Sequence, residues 1–327
     1  MKKRCFCFAL TAMLMFSVAG CMPSNTQEFA KTEAVKEGEG RKPALPEEIV
    51  LVNGMPEIAV YNTATDKVEK MDIETYVQGV LAGEMHNDWP MEALKAQAIL
   101  ARTFVLNFIS EKDSMYDNAD ISTDIKEAQA YDASKVNARI QEAVKQTYGL
   151  VLTYNGRFPK TWFHAHAGGI TELPSVALAY KDGDPGYARV LESADSDKAP
   201  DNIKQWKATF SLDDIEDACE NLGINTGDIT SFEIGSKGES GRAAYFVING
   251  KKVSAPELRI QLGSTEMKST LLTGIDIGDE DITFTGKGYG HGVGMSQWGA
   301  YAMAEAGDRA EIILSYYYPD TDLVKIY

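Results

Sequence analysis

Apolar residues recur along this chain with two different periods. Over residues 48–61, Val50, Val52, Ile58 and Val60 alternate with other residues, the two-residue period of a strand with one buried face. Over residues 72–86 the spacing changes. Ile73, Tyr76, Val77, Val80 and Leu81 recur every three or four positions, which predicts a helix capped by Asp72. Past Trp89-Pro90 a second helix is expected over 91–109, with Leu94, Ala98, Ala101, Val105 and Phe108 as its apolar stripe, and a third over 137–147. Residues 150–154, the pair Asn155-Gly156 and a strand to about His166 read as a hairpin, because Asn-Gly accepts the backbone angles of a two-residue turn. Beyond Trp206 short strands and helices mix. A strand over 281–284 then enters a glycine-rich loop over 286–294, followed by a helix over 295–306. There is no internal repeat. The pattern predicts the α+β class, helices mixed with short antiparallel strands.

The N-terminus follows another logic. Lys2, Lys3 and Arg4 precede an apolar run over 6–18, too short to span a bilayer and followed by small residues, the pattern of an export signal. The end of that leader, Val18-Ala19-Gly20-Cys21, resembles a bacterial lipobox, which predicts lipidation at Cys21 and a lipid-anchored position on the outer face of the cell membrane. Residues 22–48 hold few apolar side chains and include Pro23, Pro43 and Pro46, so they are expected to form a flexible tether. The folded domain is expected over 49–327, with a smaller subdomain around 207–262.

Charge and cysteine usage narrow the chemistry. The formal charge is −16, which argues against nucleic acid as a partner, since such binding relies on cations to displace counterions. Cys5, Cys7 and Cys21 fall in the leader, leaving Cys219 alone in the folded part, so no internal disulfide framework is expected.

Glu84 falls in the last turn of the first predicted helix, where the helix dipole disfavours negative charge and favours a proton-bearing carboxyl, as a general acid requires. On the next helix Lys95 and Arg102 are seven residues apart, about 10 Å, and share one face that could border a groove. His164 and His166 alternate in a predicted strand, a spacing a metal accepts, but no third ligand is evident; no cofactor is expected. The glycines of 286–294 lack the spacing of a dinucleotide fingerprint and the Gly-Lys-Ser/Thr ending of a phosphate loop.

Three blocks carry a resemblance. Gly83-Glu84-Met85 with Pro90-Met91-Glu92-Ala93-Leu94-Lys95-Ala96-Gln97-Ala98 and Ala101-Arg102-Thr103 forms the first. Phe163-His164-Ala165-His166-Ala167-Gly168-Gly169-Ile170-Thr171-Glu172 is the second, and Gly288-Tyr289-Gly290-His291-Gly292-Val293-Gly294-Met295-Ser296-Gln297-Trp298-Gly299-Ala300 the third. Together, and in this order, they resemble the stage II sporulation protein D family. The resemblance implies a peptidoglycan lytic transglycosylase acting on strands stripped of stem peptides during engulfment of the forespore, in the space between mother cell and forespore, alongside a cell-wall amidase. It implies Glu84 as the catalytic acid. It further implies a glycan-binding groove lined by Lys95, Gln97, Arg102, His164, Gly168, Gly169, Tyr289, His291, Ser296 and Gln297. Ala165 and Ala167 stand where the family often carries serine, and the cysteines that hold a metal in some members are missing here.

The carboxylate count fits that reading. Hydrolytic glycosidases usually need two carboxylates flanking the bond, whereas a lytic transglycosylase can work with one. Asp88 is the only evident second carboxylate near Glu84. Two further readings stay open at this level: a non-catalytic amidase enhancer that binds cell wall, and a metal-dependent hydrolase built on His164 and His166.

Overall fold

The computed structural model describes residues 41–327; the leader, Cys21 and the tether up to residue 40 lie outside the described residues. Within them no helix is long and apolar enough to cross a membrane. The fold is α+β.

The chain opens with β1 (Val50–Val52), β2 (Met55–Asn62) and β3 (Lys67–Asp72), an antiparallel meander. The single strand expected over 48–61 is therefore a hairpin. Asn53 and Gly54 turn the chain with φ of 52° and 81°, the left-handed region that this pair tolerates. Asp72 then caps α1 (Ile73–Glu84), its carboxylate accepting from the Thr75 amide at 2.9 Å.

The long α2 (Met91–Glu111) is the centre of the first core. Its buried residues run all the way round, from Ala93 and Leu94 to Phe108 and Ile109, the mark of a helix enclosed on every side. It is covered by α1, by α3 (Ala138–Gln146), by the strand β5 (Leu150–Thr153), and by the late helices described below. The short β4 (Ile121–Ser122) lies parallel to β2.

The predicted hairpin over 150–166 is half correct. Asn155 and Gly156 make the turn, and Tyr154 and Arg157 exchange backbone bonds of 2.9 and 3.1 Å across it. The return strand does not form, and β5 instead pairs with β14 (Asp322–Lys325) at the far end of the chain. A turn signal fixes a reversal locally; it does not choose the partner, and Pro159 two residues on removes a ladder donor. Only Phe163–His164 returns to strand, as β6, and it pairs in parallel with β13 (Met295–Ser296).

After two single-turn helices, α4 (Pro174–Ala177) and α5 (Asp201–Lys204), a second apolar cluster begins. β7 (Gln205–Ser211), β11 (Leu272–Ile277) and β12 (Asp281–Lys287) form one antiparallel sheet. β8 (Phe232–Lys237), β9 (Ala243–Ile248) and β10 (Lys251–Ser254) form another. With α6 (Leu212–Asn221) and α7 (Ala255–Gln261) they bury Trp206, Phe232, Phe246 and Phe284 together with Cys219, a free thiol. The chain then returns to the first core through β13, α8 (Gln297–Glu305) and α9 (Ala310–Tyr317), which pack on α2.

Candidate active site

Glu84 is the last residue of α1. The next residue, Met85, is extended, and its amide closes the helix on Leu81 O at 3.1 Å. Its carboxyl lies beside the chain at Ala130, whose amide donates to Oε1 at 2.7 Å. Gly83 makes that approach possible: a Cβ there would meet the Ala130 backbone at 2.8 Å. From the other side the Gln297 amide nitrogen donates to the Glu84 carbonyl at 3.2 Å, tying the start of α8 to the end of α1.

Burial dominates the electrostatics. It pushes the Glu84 carboxyl up to about 7, and the hydrogen bonds from Ala130 and Gln297 offset only part of that effect. A cleft of about 310 Å3 opens onto the carboxyl, lined by Gly83, Glu84, Met85, His86, Asn87 and Lys135 among others. Among the described residues no other carboxylate lines it; Asp88 is exposed and is not one of them. Lys135 turns to Asp132 at 2.9 Å. Beside the cleft His86 stacks on Trp89 with ring centroids 5.7 Å apart, and Trp89 packs against Trp298 at 4.5 Å and Tyr301 at 5.1 Å.

The cations expected opposite Glu84 are placed otherwise. Arg102 is fully buried, its Nε and Nη2 donating to the two oxygens of Glu74 at 2.8 and 2.6 Å and its Nη1 to Leu150 O at 2.9 Å. It joins α1, α2 and β5 and borders no groove, because α2 has no solvated face at that point. Lys95 pairs with Glu92 on its own helix at 2.9 Å, and Glu92 in turn accepts from the first amide of α9 at 2.8 Å. Gln97 is fully buried, so it too is a core residue rather than a groove-lining one, and neither polar atom of its amide has a partner among the described residues.

The second and third blocks meet each other. His164 on β6 shares a 3.1 Å hydrogen bond with Val293 O, and its ring centroid lies 5.6 Å from that of His291. Burial, with help from His291 and Arg242, holds His164 well below the usual histidine range, so it is neutral; Nδ1 carries the proton donated to Val293 O. His291 accepts from the Val293 amide at 2.9 Å and is pushed down to about 3 by burial and the nearby Arg259 and Arg242. His166 is buried too, accepting from the Gly168 amide at 3.0 Å with Asp195 3.2 Å away. His164 and His166 thus serve different partners, and among the described residues no group of three or more histidines, cysteines and carboxylates is placed to hold a metal.

Tyr289 and His166 exchange backbone bonds of 2.8 and 3.0 Å. Gly168 and Gly169 turn with φ of 73° and 101°, and the Gly169 amide reaches Asp195 at 3.2 Å. Ser296 is fully buried, donates to Asp195 and caps α8 by accepting from the Gly299 amide at 3.2 Å. Gly292, at φ 89°, lies so close to Arg242 that a Cβ would fall 2.4 Å from the guanidinium. The three sequence blocks therefore converge. Gln297 links the third block to Glu84, and His164, His166 and Asp195 link the second block to the third.

Ala130, His86, Asn87, Lys135, Trp89 and Asp195 were not singled out from the sequence. Ala130 acts through its backbone amide, which leaves no side-chain signal. The aromatic set leaves a faint one, in Trp298 and Tyr301 spaced three apart on a helix.

Comparison with known proteins agrees with this assembly. Residues 61–154 match the family model described as stage II sporulation protein, and residues 176–294 match a domain of unknown function. The chain is 31% identical to stage II sporulation protein D of Bacillus subtilis, over 97% of this chain and 95% of that one. It is 32% identical to the Bacillus amyloliquefaciens protein of the same name, over 88% of this chain and 83% of that one. It is also 32% identical to an amidase enhancer of Bacillus subtilis, over 76% of this chain but only 40% of that longer protein. The chain belongs to the stage II sporulation protein D family.

Proposed function

We propose that this protein is a lytic transglycosylase of peptidoglycan in which Glu84 alone serves as acid and then base. The observation that carries the reading is a single carboxyl at a helix end, opening on a cleft and pushed up to about 7 by burial. Near neutral pH such a group holds a proton for much of the time and can still give it up. Glu84 protonates the glycosidic oxygen as the bond from the muramyl anomeric carbon breaks. The 6-hydroxyl of the same sugar attacks that carbon, and its proton passes to Glu84, which is regenerated. The products are a 1,6-anhydromuramyl end and a free 4-hydroxyl on the leaving sugar, with no water consumed. A lone carboxylate suits this better than hydrolysis, which calls for a second one to activate water.

Lipidation at Cys21 would hold the domain on the outer face of the membrane, within reach of the wall and a partner amidase. Sporulation engulfment is the setting that family membership supports. The test is incubation of the purified protein with glycan strands freed of stem peptides. Anhydro-ended fragments that vanish in Glu84→Gln support the reading; their persistence in that variant sinks it. The likeness to an amidase enhancer favours one alternative, in which the protein binds wall and stimulates a separate amidase. Stimulation of an amidase with no anhydro ends formed would establish that alternative.

A further inference from the structure

We propose that a pocket between α7 and the glycine-rich loop binds a carboxylate borne on a methyl-bearing carbon. The pocket, about 330 Å3, lies apart from the Glu84 cleft in its lining, which includes the buried Arg259 and the half-buried His291. Ala177, Leu178, Leu222 and Ile260 supply apolar wall.

Arg259 is the unusual member. It is only 6% exposed, yet among the described residues it makes no ion pair. Its Nη2 donates to Ser264 O at 3.1 Å, while its Nε is buried without a partner. Arg102, fully buried, shows what the fold does elsewhere: it supplies Glu74 as a bidentate counterion. A buried guanidinium with no anion costs free energy that a bound anion would relieve. A second buried guanidinium, Arg242, also lies close enough to help depress His291. Among the described residues Glu257 is the one carboxylate lining the pocket, and it is exposed on the first turn of α7.

A guanidinium fork suits a planar carboxylate, and the apolar wall beside it suits a short alkyl group. Two wall components carry that pairing: the lactyl group of a muramyl sugar stripped of its peptide, and the terminal D-alanine of a stem peptide. Those two sources rest on the peptidoglycan reading above; the carboxylate pocket itself rests on the geometry of Arg259.

The experiment is a calorimetric titration of the full chain, and of its Glu84→Gln variant, with N-acetylmuramic acid, its methyl ester and N-acetyl-D-alanyl-D-alanine. The acid is expected to saturate and the ester to bind at least about tenfold more weakly, as loss of a charge-assisted pair predicts. Arg259→Met should erase the acid–ester difference, and Arg259→Lys should restore part of it. Saturation by the dipeptide in place of the sugar acid supports the same pocket and assigns it to the stem. Equal binding of acid and ester, or no saturation by any of the carboxylates, overturns it, and this comparison needs no substitution. Carboxylate binding without glycan cleavage would leave the pocket standing and remove the enzymatic reading; cleavage without an acid–ester difference would do the reverse.

Discussion

Two glutamates on one helix, Glu74 and Glu84, have opposite environments. Glu74 sits in the first turn of α1, where the dipole favours negative charge, and receives both arms of Arg102 and the Gly149 amide. Glu84 sits in the last turn, where the dipole opposes charge, and among the described residues no cation is bonded to its carboxyl, which has neutral donors only, the Ala130 amide and Gln297. One carboxylate is spent on holding three elements together. The other is left half-buried and able to keep its proton. A carboxyl that packing desolvates keeps its proton where the fold withholds a counterion.

The comparison can be broken from either end. The largest expected effect is on activity: Glu84→Gln should reduce anhydromuramyl product by about three orders of magnitude, the scale of losing a positioned acid. A normal circular dichroism spectrum would show that the fold survives.

Next is Arg102→Met, which strands Glu74 as a buried charge and should cost about 4 kcal/mol in urea unfolding. Adding Glu74→Gln should recover much of that loss, because the neutral pair no longer buries a charge. If Arg102→Met left stability unchanged but stopped cleavage, Arg102 would be a groove residue after all.

A pH prediction sharpens the Glu84 half. Its carboxyl titrates near 7 in the folded protein but at the ordinary 4.5 once unfolded. The stability conferred by the protonated form is complete below 4.5 and is lost as pH rises towards 7. Glu84→Gln, which has no charge to bury, should therefore gain about 3 kcal/mol over the native protein at pH 8 and almost nothing at pH 4. Cleavage itself should decline as pH rises through about 7, since the acid must start protonated.

Two smaller effects close the series. Gly83→Ala should push the Ala130 segment away, at a cost of about 1 to 3 kcal/mol, and lower the activity pH midpoint as water reaches Glu84. Lys95→Ala should cost about 1 kcal/mol or less and leave cleavage intact, because its pair with Glu92 is partly exposed.

The sequence by itself determined the local elements and the place of Glu84 at a helix end. The helices α1 and α2 were legible because their apolar spacing, and for α1 the cap Asp72, act within a few residues. Glu84 was legible as a helix-end carboxyl, and the three blocks marked segments that the fold brings together.

Only the tertiary structure decided what those residues do. The partner of β5 is the last strand of the chain, and no local signal names it. Arg102 looked like a groove residue because it shares a face with Lys95, but the layers around α2 enclose that face and deliver Glu74 to it. The same packing delivers a bare backbone amide to Glu84. A side chain's charge is written in the sequence; whether that charge meets a counterion, water or neither is fixed by segments distant along the chain.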